Sequence, residues 1–190
     1  MASYVATNAF ADDYKNPRGI PRMEFVENVE EFVKKRGVSV ESILRAFSEQ
    51  HSKYKLMEHK LNQNLASHNQ KIPEITKTLE ALDFLKKKHE AEETATTQYA
   101  LTDLVFCEAE VPPQKSVHLW LGANVMVEYT IDEAKALLEK NLAASKRNLE
   151  STQEDLAWLK DQTVVCEVNS SRLYNYDVVT RREKEAAEKK

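Results

Sequence analysis

The chain is predicted to be mainly α: a long antiparallel two-helix coiled coil, with a small β-hairpin region at its hinge that joins an oligomeric β-barrel. Three observations predict this. Two helix-forming stretches of near-equal length, residues 39–95 and 131–188, contain no glycine. Their apolar residues recur at steps of three and four, the mark of a helix with one buried stripe. Between them the pattern changes to period two. At about 1.5 Å per residue each stretch would run roughly 85 Å as a helix, several times the width of a small domain. Two such rods joined by a compact connector can fold back on each other and leave their far ends in solvent.

Composition narrows the function classes. Of 190 residues 42% are hydrophobic and 31% charged, with only three glycines and five prolines, which suits helices that solvate most of their surface. So few glycines leave little material for phosphate-cradling loops. The net charge of -4 gives no electrostatic case for nucleic acid as a partner. Cys107 and Cys166 are too few for a disulfide framework, no secretory signal precedes them, and no apolar run approaches a membrane span. The expected setting is soluble and reducing, with no membrane partner. Asn169-Ser170-Ser171 matches the glycosylation sequon, which without an export signal reads as an accident of composition.

Residues 1–22 lack periodicity and read as a flexible leader. Residues 23–37 form a short amphipathic helix, with Phe25, Val29, Phe32 and Val33 on one face, Lys34, Lys35 and Arg36 in the last turn, and Gly37 as the stop. Residues 38–95 hold the first long helix. Ser39 is its expected N-cap, and Glu41 suits the positive end of the helix dipole. Its apolar series passes through Val40, Ile43, Phe47, Tyr54, Met57, Leu61, Leu65, Ile72, Ile75, Leu79 and Leu82, with polar Gln50 and His68 on the seam. Pro73 should remove one backbone hydrogen bond, yet the apolar phase continues across it, so one helix kinked near 69–73 is expected.

Residues 96–130 are the β-hairpin region. Val105, Cys107, Ala109 and Val111 alternate with Phe106, Glu108 and Glu110 until Pro112-Pro113 ends the run. Val117, Leu119 and Leu121 alternate with His118 and Trp120, and after Gly122-Ala123-Asn124 the residues Val125, Val127 and Tyr129 alternate with Met126 and Glu128. The last two runs predict a hairpin. Residues 131–180 are the second long helix, opened by the capping box Thr130-Ile131-Asp132-Glu133. Its seam is Leu138, Leu142, Leu149, Leu156, Leu159, Cys166 and Leu173, and residues 181–190 read as a frayed, charged tail.

Three or four short strands cannot close a sheet on themselves, and greasy faces with open edges aggregate unless paired. Val105, Phe106, Val111, Val117, Leu119, Trp120, Leu121, Val125, Val127 and Tyr129 are therefore the expected subunit-assembly residues, in a barrel shared with other chains. At the far end of an antiparallel pair, Val40, Ile43, Leu44 and Phe47 lie beside Leu173, Tyr174, Tyr176 and Val178. Not all of them fit one seam. Apolar side chains at a rod tip predict a surface for exposed hydrophobic segments of other proteins. The alternative is that residues 23–37 fold over the tip and cover it.

Catalytic, cofactor and metal constellations are absent from the sequence, so no enzyme activity is expected. His51 and His59 face different sides of a helix, His89 and His118 stand alone, and the two cysteines have no second thiol nearby. The carboxylates along the rods read as solvated faces.

Several segments are too specific for heptads alone. These are Glu24-Phe25-Val26-Glu27, Tyr54-Lys55 with Met57-Glu58, Ile72-Pro73-Glu74-Ile75, AEVPP at 109–113, WLGANVM at 120–126 and IDEAKALLEKNL at 131–142, followed by Val168-Asn169 and Tyr174-Asn175. In these the chain resembles prefoldin, in its eukaryotic alpha-type subunits, from about Ile20 to Arg182. The resemblance implies a heterohexamer of two alpha-type and four beta-type subunits, with a double β-barrel body and six coiled-coil tentacles. It also implies that non-native actin, tubulin and other clients are held at the tentacle tips without ATP or cofactor and handed to the cytosolic chaperonin. The implied location is the cytoplasm. The alternative function is a structural coiled-coil scaffold or adaptor, tethering partners or serving in a prefoldin-like complex of the nucleus, which is the second expected location.

Overall fold

The computed structural model describes residues 10–16 and 18–188, with side chains described for 16 and 18–187. The order of elements is β1 (Phe10–Lys15), β2 (Pro21–Met23), α1 (Val29–Arg36), α2 (Val40–Glu90), β3 (Ala95–Thr102), β4 (Val105–Val111), β5 (Ser116–Gly122), β6 (Val125–Thr130) and α3 (Ile131–Glu188). Two compact units are distinct: the described residues of Met1–Leu65 with Glu150–Lys190, and Ala66–Leu149.

In the first unit the start of α2 packs against the end of α3. The helices run antiparallel, because Glu41 meets Arg181 at 2.7 Å and His51 meets Glu167 at 2.9 Å. Ile43, Phe47 and Tyr54 of α2 interlock with Leu159, Cys166 and Leu173 of α3, and Met57, Leu61, Trp158 and Val165 pack around them. Ser39 caps α2 through its hydroxyl, 3.3 Å from the Ser42 N–H, and its carbonyl accepts the Ile43 N–H. The helix continues through Pro73 to Glu90. There the phase of the apolar stripe outweighs the one lost backbone bond.

The N-terminal residues depart from expectation in two ways. The leader expected over 1–22 is ordered where it is described. Phe10–Lys15 pairs antiparallel with Pro21–Met23, and a turn with Gly19 at φ 85° joins them. Within it the Gly19 N–H reaches the Asn16 carbonyl at 2.7 Å. Residues 1–9 and 17 lie outside the described residues. The amphipathic helix expected over 23–37 begins only at Val29, because Asn28 caps it by accepting the N–H groups of Glu30 and Glu31 at 3.1 and 3.4 Å. Residues 24–28 are therefore outside the helix, and Phe25 does not share a face with Val29, Phe32 and Val33. Gly37 ends α1 in the left-handed conformation at φ 60°, its N–H on the Val33 carbonyl at 3.1 Å.

The tail expected to fray from 181 instead continues α3 to Glu188. Arg181 anchors that last stretch, pairing with Asp177 at 2.8 Å and Glu41 at 2.7 Å. Residues 189–190 lie outside the described residues.

In the second unit Leu82, Ala95, Ile131 and Ala134 form the interior. Asp83 accepts a hydrogen bond from Lys135 at 2.7 Å, which holds its carboxyl below the usual range. Thr130 and Glu133 form the capping box, with the Glu133 N–H 3.3 Å from the Thr130 Oγ1 and the Thr130 N–H 3.2 Å from the Glu133 carboxylate. The hairpins β3–β4 and β5–β6 are separate two-stranded sheets, not hydrogen-bonded to each other. Ala123 and Asn124, both at positive φ (47° and 64°), make the tight turn between β5 and β6 whose twist matches paired strands. The first long helix, expected to 95, stops at Glu90, and β3 starts at Ala95 as a full strand paired with β4.

Candidate functional site

The N-terminal segment lies across the helix pair of the first unit, and its contacts grow from one repeating feature of α3. Asp155, Gln162 and Asn169 stand seven residues apart, hence on one helix face, and all three are buried. Buried polar groups need partners, and here the partners are Asn16, Arg18, Met23, Glu24 and Val26. Asp155 accepts the Asn16 Nδ2–H and the Arg18 Nε–H, each at 2.6 Å. The Gln162 Oε1 accepts the Met23 N–H at 2.8 Å. Asn169 accepts the Val26 N–H at 3.0 Å and donates from Nδ2 to the Glu24 carbonyl at 2.7 Å. Tyr54 donates its hydroxyl to the Pro21 carbonyl at 3.0 Å, and Arg172 donates to the Glu27 carbonyl at 2.7 Å.

Apolar contacts alternate with these bonds. Ile20 and Met23 enter the core beside Phe47, Tyr54 and Leu159, and Val26 is also buried. Val29, Phe32 and Val33 of α1 then pack on the same cluster, with the Phe32 ring 6.4 Å from that of Phe47. The guanidinium of Arg172 sits 5.1 Å from the Phe25 ring, and that of Arg36 sits 4.5 Å from Phe32, both within cation–π range. Burial pushes the Tyr54 hydroxyl and the Cys166 thiol above their usual pKa values. Hydrogen bonds to Asp155 and then Glu154 raise that of Arg18.

This arrangement divides the eight tip residues expected to meet clients. Phe47 is 1% exposed and Leu173 0%, and Ile43 is buried with them. These three are core, covered by the N-terminal segment, and are not a free surface. Val40 and Leu44 pack partly against the same cluster, and Tyr176 and Val178 are half-buried. Tyr174 is exposed. Leu44 and Tyr174 meet again in an open groove that also includes Ser48, His51, Glu167 and Asn175. The sequon asparagine is the deeply buried Asn169, both of whose amide atoms are engaged, so a glycan there is incompatible with this packing.

The heptad ladder of Asp155, Gln162 and Asn169 was not singled out from sequence. The signal was there: three polar residues at seven-residue spacing, beside an apolar seam, on a helix long enough to show the repeat. It was missed because polar positions are read by default as solvated.

On the hairpins the register sorts the ten assembly residues by face. Leu119 pairs with Val127 and Val117 with Tyr129, while Trp120 opposite Met126 lies on the other face. Phe106 pairs with Ala100, on the face opposite Tyr99 and Cys107. Val105, Phe106, Trp120, Leu121 and Val125 are exposed, and Val111, Val117, Leu119, Val127 and Tyr129 are half-exposed. Leu104, at the β3–β4 turn, is 90% exposed. Both hairpins thus present apolar side chains and open edges, more than a lone two-stranded sheet can support in water. Among the described residues no His, Cys, Asp and Glu side chains cluster in a way that could hold a metal ion, and no helix is long and apolar enough to cross a membrane.

Comparison with known proteins places these features in a family. A family model described as "Prefoldin subunit" matches residues 54–176. Prefoldin subunit 3 of Mus musculus is 46% identical over 173 residues, covering 90% of this chain and 88% of the relative, and that of Homo sapiens matches to the same extent. A probable prefoldin subunit 3 of Dictyostelium discoideum is 39% identical over 173 residues, with 91% and 87% covered. A chain of the filamentous PFD of Methanocaldococcus jannaschii is 17% identical and has a TM-score of 0.47, covering 60% of this chain and 92% of that one. The chain belongs to the prefoldin family, with its similarity running to subunit 3 along most of its length.

Proposed function

We propose that the chain is a subunit of the heterohexameric prefoldin co-chaperone. It assembles through its hairpins with other prefoldin subunits, two alpha-type and four beta-type in the hexamer. It holds non-native proteins such as actin and tubulin without ATP and passes them to the cytosolic chaperonin. The proposed location is the cytoplasm, with the nucleus as a second. The observation that carries the reading is the 46% identity to Prefoldin subunit 3 over 90% of this chain.

The physical logic is holding, with no bond made or broken in the client. Burial of apolar client surface is worth about 25 cal/mol per Å². A surface as small as the groove at Leu44 and Tyr174 therefore binds weakly. Several tethered arms acting on one client raise the overall affinity through effective concentration, and weak single contacts still permit release. The apolar faces of β5 and β6 supply the assembly surface in this reading.

A second reading, a structural scaffold, is favoured by one observation: Ile43, Phe47 and Leu173 are covered. Co-expression with beta-type subunits separates the two. A hexamer that keeps denatured actin soluble without nucleotide supports the co-chaperone, and a hexamer that leaves actin to precipitate supports the scaffold.

A further inference from the structure

The bonds that fix residues 21–27 to the helix pair go to main-chain groups: the Pro21, Glu24 and Glu27 carbonyls and the Met23 and Val26 N–H groups. Side chains of Tyr54, Gln162, Asn169 and Arg172 supply them. Such bonds are blind to sequence. Selectivity comes from Ile20, Met23 and Val26, apolar residues at three-residue steps that are all buried. The segment lies along the helices as an extended peptide in a groove, read through its backbone and anchored by spaced apolar side chains.

We propose that this groove is a polypeptide-binding site, and that residues 18–27 are its tethered self-ligand. The competing occupant is an extended segment of a non-native polypeptide with apolar side chains at about three-residue steps, so the proposal rests on the holding function above. Two features fit a displaceable occupant better than a permanent strap. The polar part of the groove, carboxamides and a carboxylate, is satisfied by water when the segment leaves, and the apolar residues that cluster with Ile20 and Met23 are covered again by the client's own apolar side chains. The segment is tethered, so its local concentration is high enough to exclude weak ligands and low enough to yield to a client engaged by several arms.

The test uses the full chain assembled with its alpha- and beta-type partners. The probe is reduced, carboxymethylated α-lactalbumin, a permanently unfolded polypeptide. Hydrogen exchange is followed at the Met23 and Val26 amides. Bound probe is expected to accelerate their exchange about tenfold or more, as their partners Gln162 and Asn169 are taken by the probe. The triple variant Ile20→Ser, Met23→Ser, Val26→Ser, which loosens the segment without touching the groove, is expected to bind the probe about tenfold more tightly than wild type. A synthetic peptide of residues 18–27, but not a scrambled one, should compete with the probe for that variant. Bound probe with unchanged exchange at Met23 and Val26, and equal affinity in the triple variant, would overturn the proposal and leave the holding function standing. No binding by either protein would overturn both.

Discussion

Asn169 carries more of this structure than its polarity advertises. With 0% exposure and bonds to both Val26 and Glu24, its removal strands a donor and an acceptor of the N-terminal segment. Asn169→Ala is expected to lower stability by about 1–3 kcal/mol in urea titration, whereas Asn175→Ala, on an exposed position, should change it by less than about 0.5 kcal/mol. Phe47→Ala opens a cavity under α1 and should cost about 3–5 kcal/mol. Tyr54 adds a pH dependence. Its pKa is raised above 10.0 by burial, so the folded state favours the neutral phenol. That contribution is whole below pH about 10 and is lost as pH rises through the folded value. Thermal melts should therefore fall more steeply above pH about 10 in wild type than in Tyr54→Phe. The apolar seam through Phe47, Tyr54, Leu159, Cys166 and Leu173 was legible from spacing alone. The cover over Phe47 and Leu173 was legible in part: the apolar face within 23–37 offered it as the alternative, and Val29, Phe32 and Val33 pack on that cluster, whereas the main-chain bonds of residues 21–27 leave little trace in side-chain periodicity.

At the level of elements, sequence signals were good where local chemistry decides and poor where a distant partner does. The capping box at Thr130, the Gly37 stop and the alternation in β4 to β6 are local, and the structure has them where the sequence put them. The β1–β2 pair was missed, since a three-residue strand with irregular register against Phe10–Lys15 presents no alternation to read. The start of α1 moved from 23 to Val29 because Glu24, Val26 and Glu27 give their backbone groups to Asn169 and Arg172 instead of to a helical turn. Pro73 lies exposed inside α2, with no N–H to offer the Asn69 carbonyl. Pro73→Ala should therefore stabilise the helix by up to about 3 kcal/mol, visible as a higher melting temperature by circular dichroism. Thr130→Ala should act the other way, costing about 0.5–2 kcal/mol through loss of the cap.

For the whole molecule, assembly turns on what the hairpins meet. Among the described residues the two hairpins carry apolar side chains on both faces and hydrogen-bond to no other strand, which leaves their edges open. Placing two aspartates on one face, in the directly opposed pair Leu119→Asp and Val127→Asp, should abolish co-purification with beta-type subunits. The helix pair and its N-terminal cover should be left intact, as judged by helix content. The most direct measurement is mass by light scattering of the full chain co-expressed with its alpha- and beta-type partners, before and after denatured actin is added without nucleotide. The expected result is a six-chain particle that gains the mass of bound actin. A chain that stays monomeric beside its partners, or a particle whose mass does not change while actin precipitates, would contradict a holding subunit.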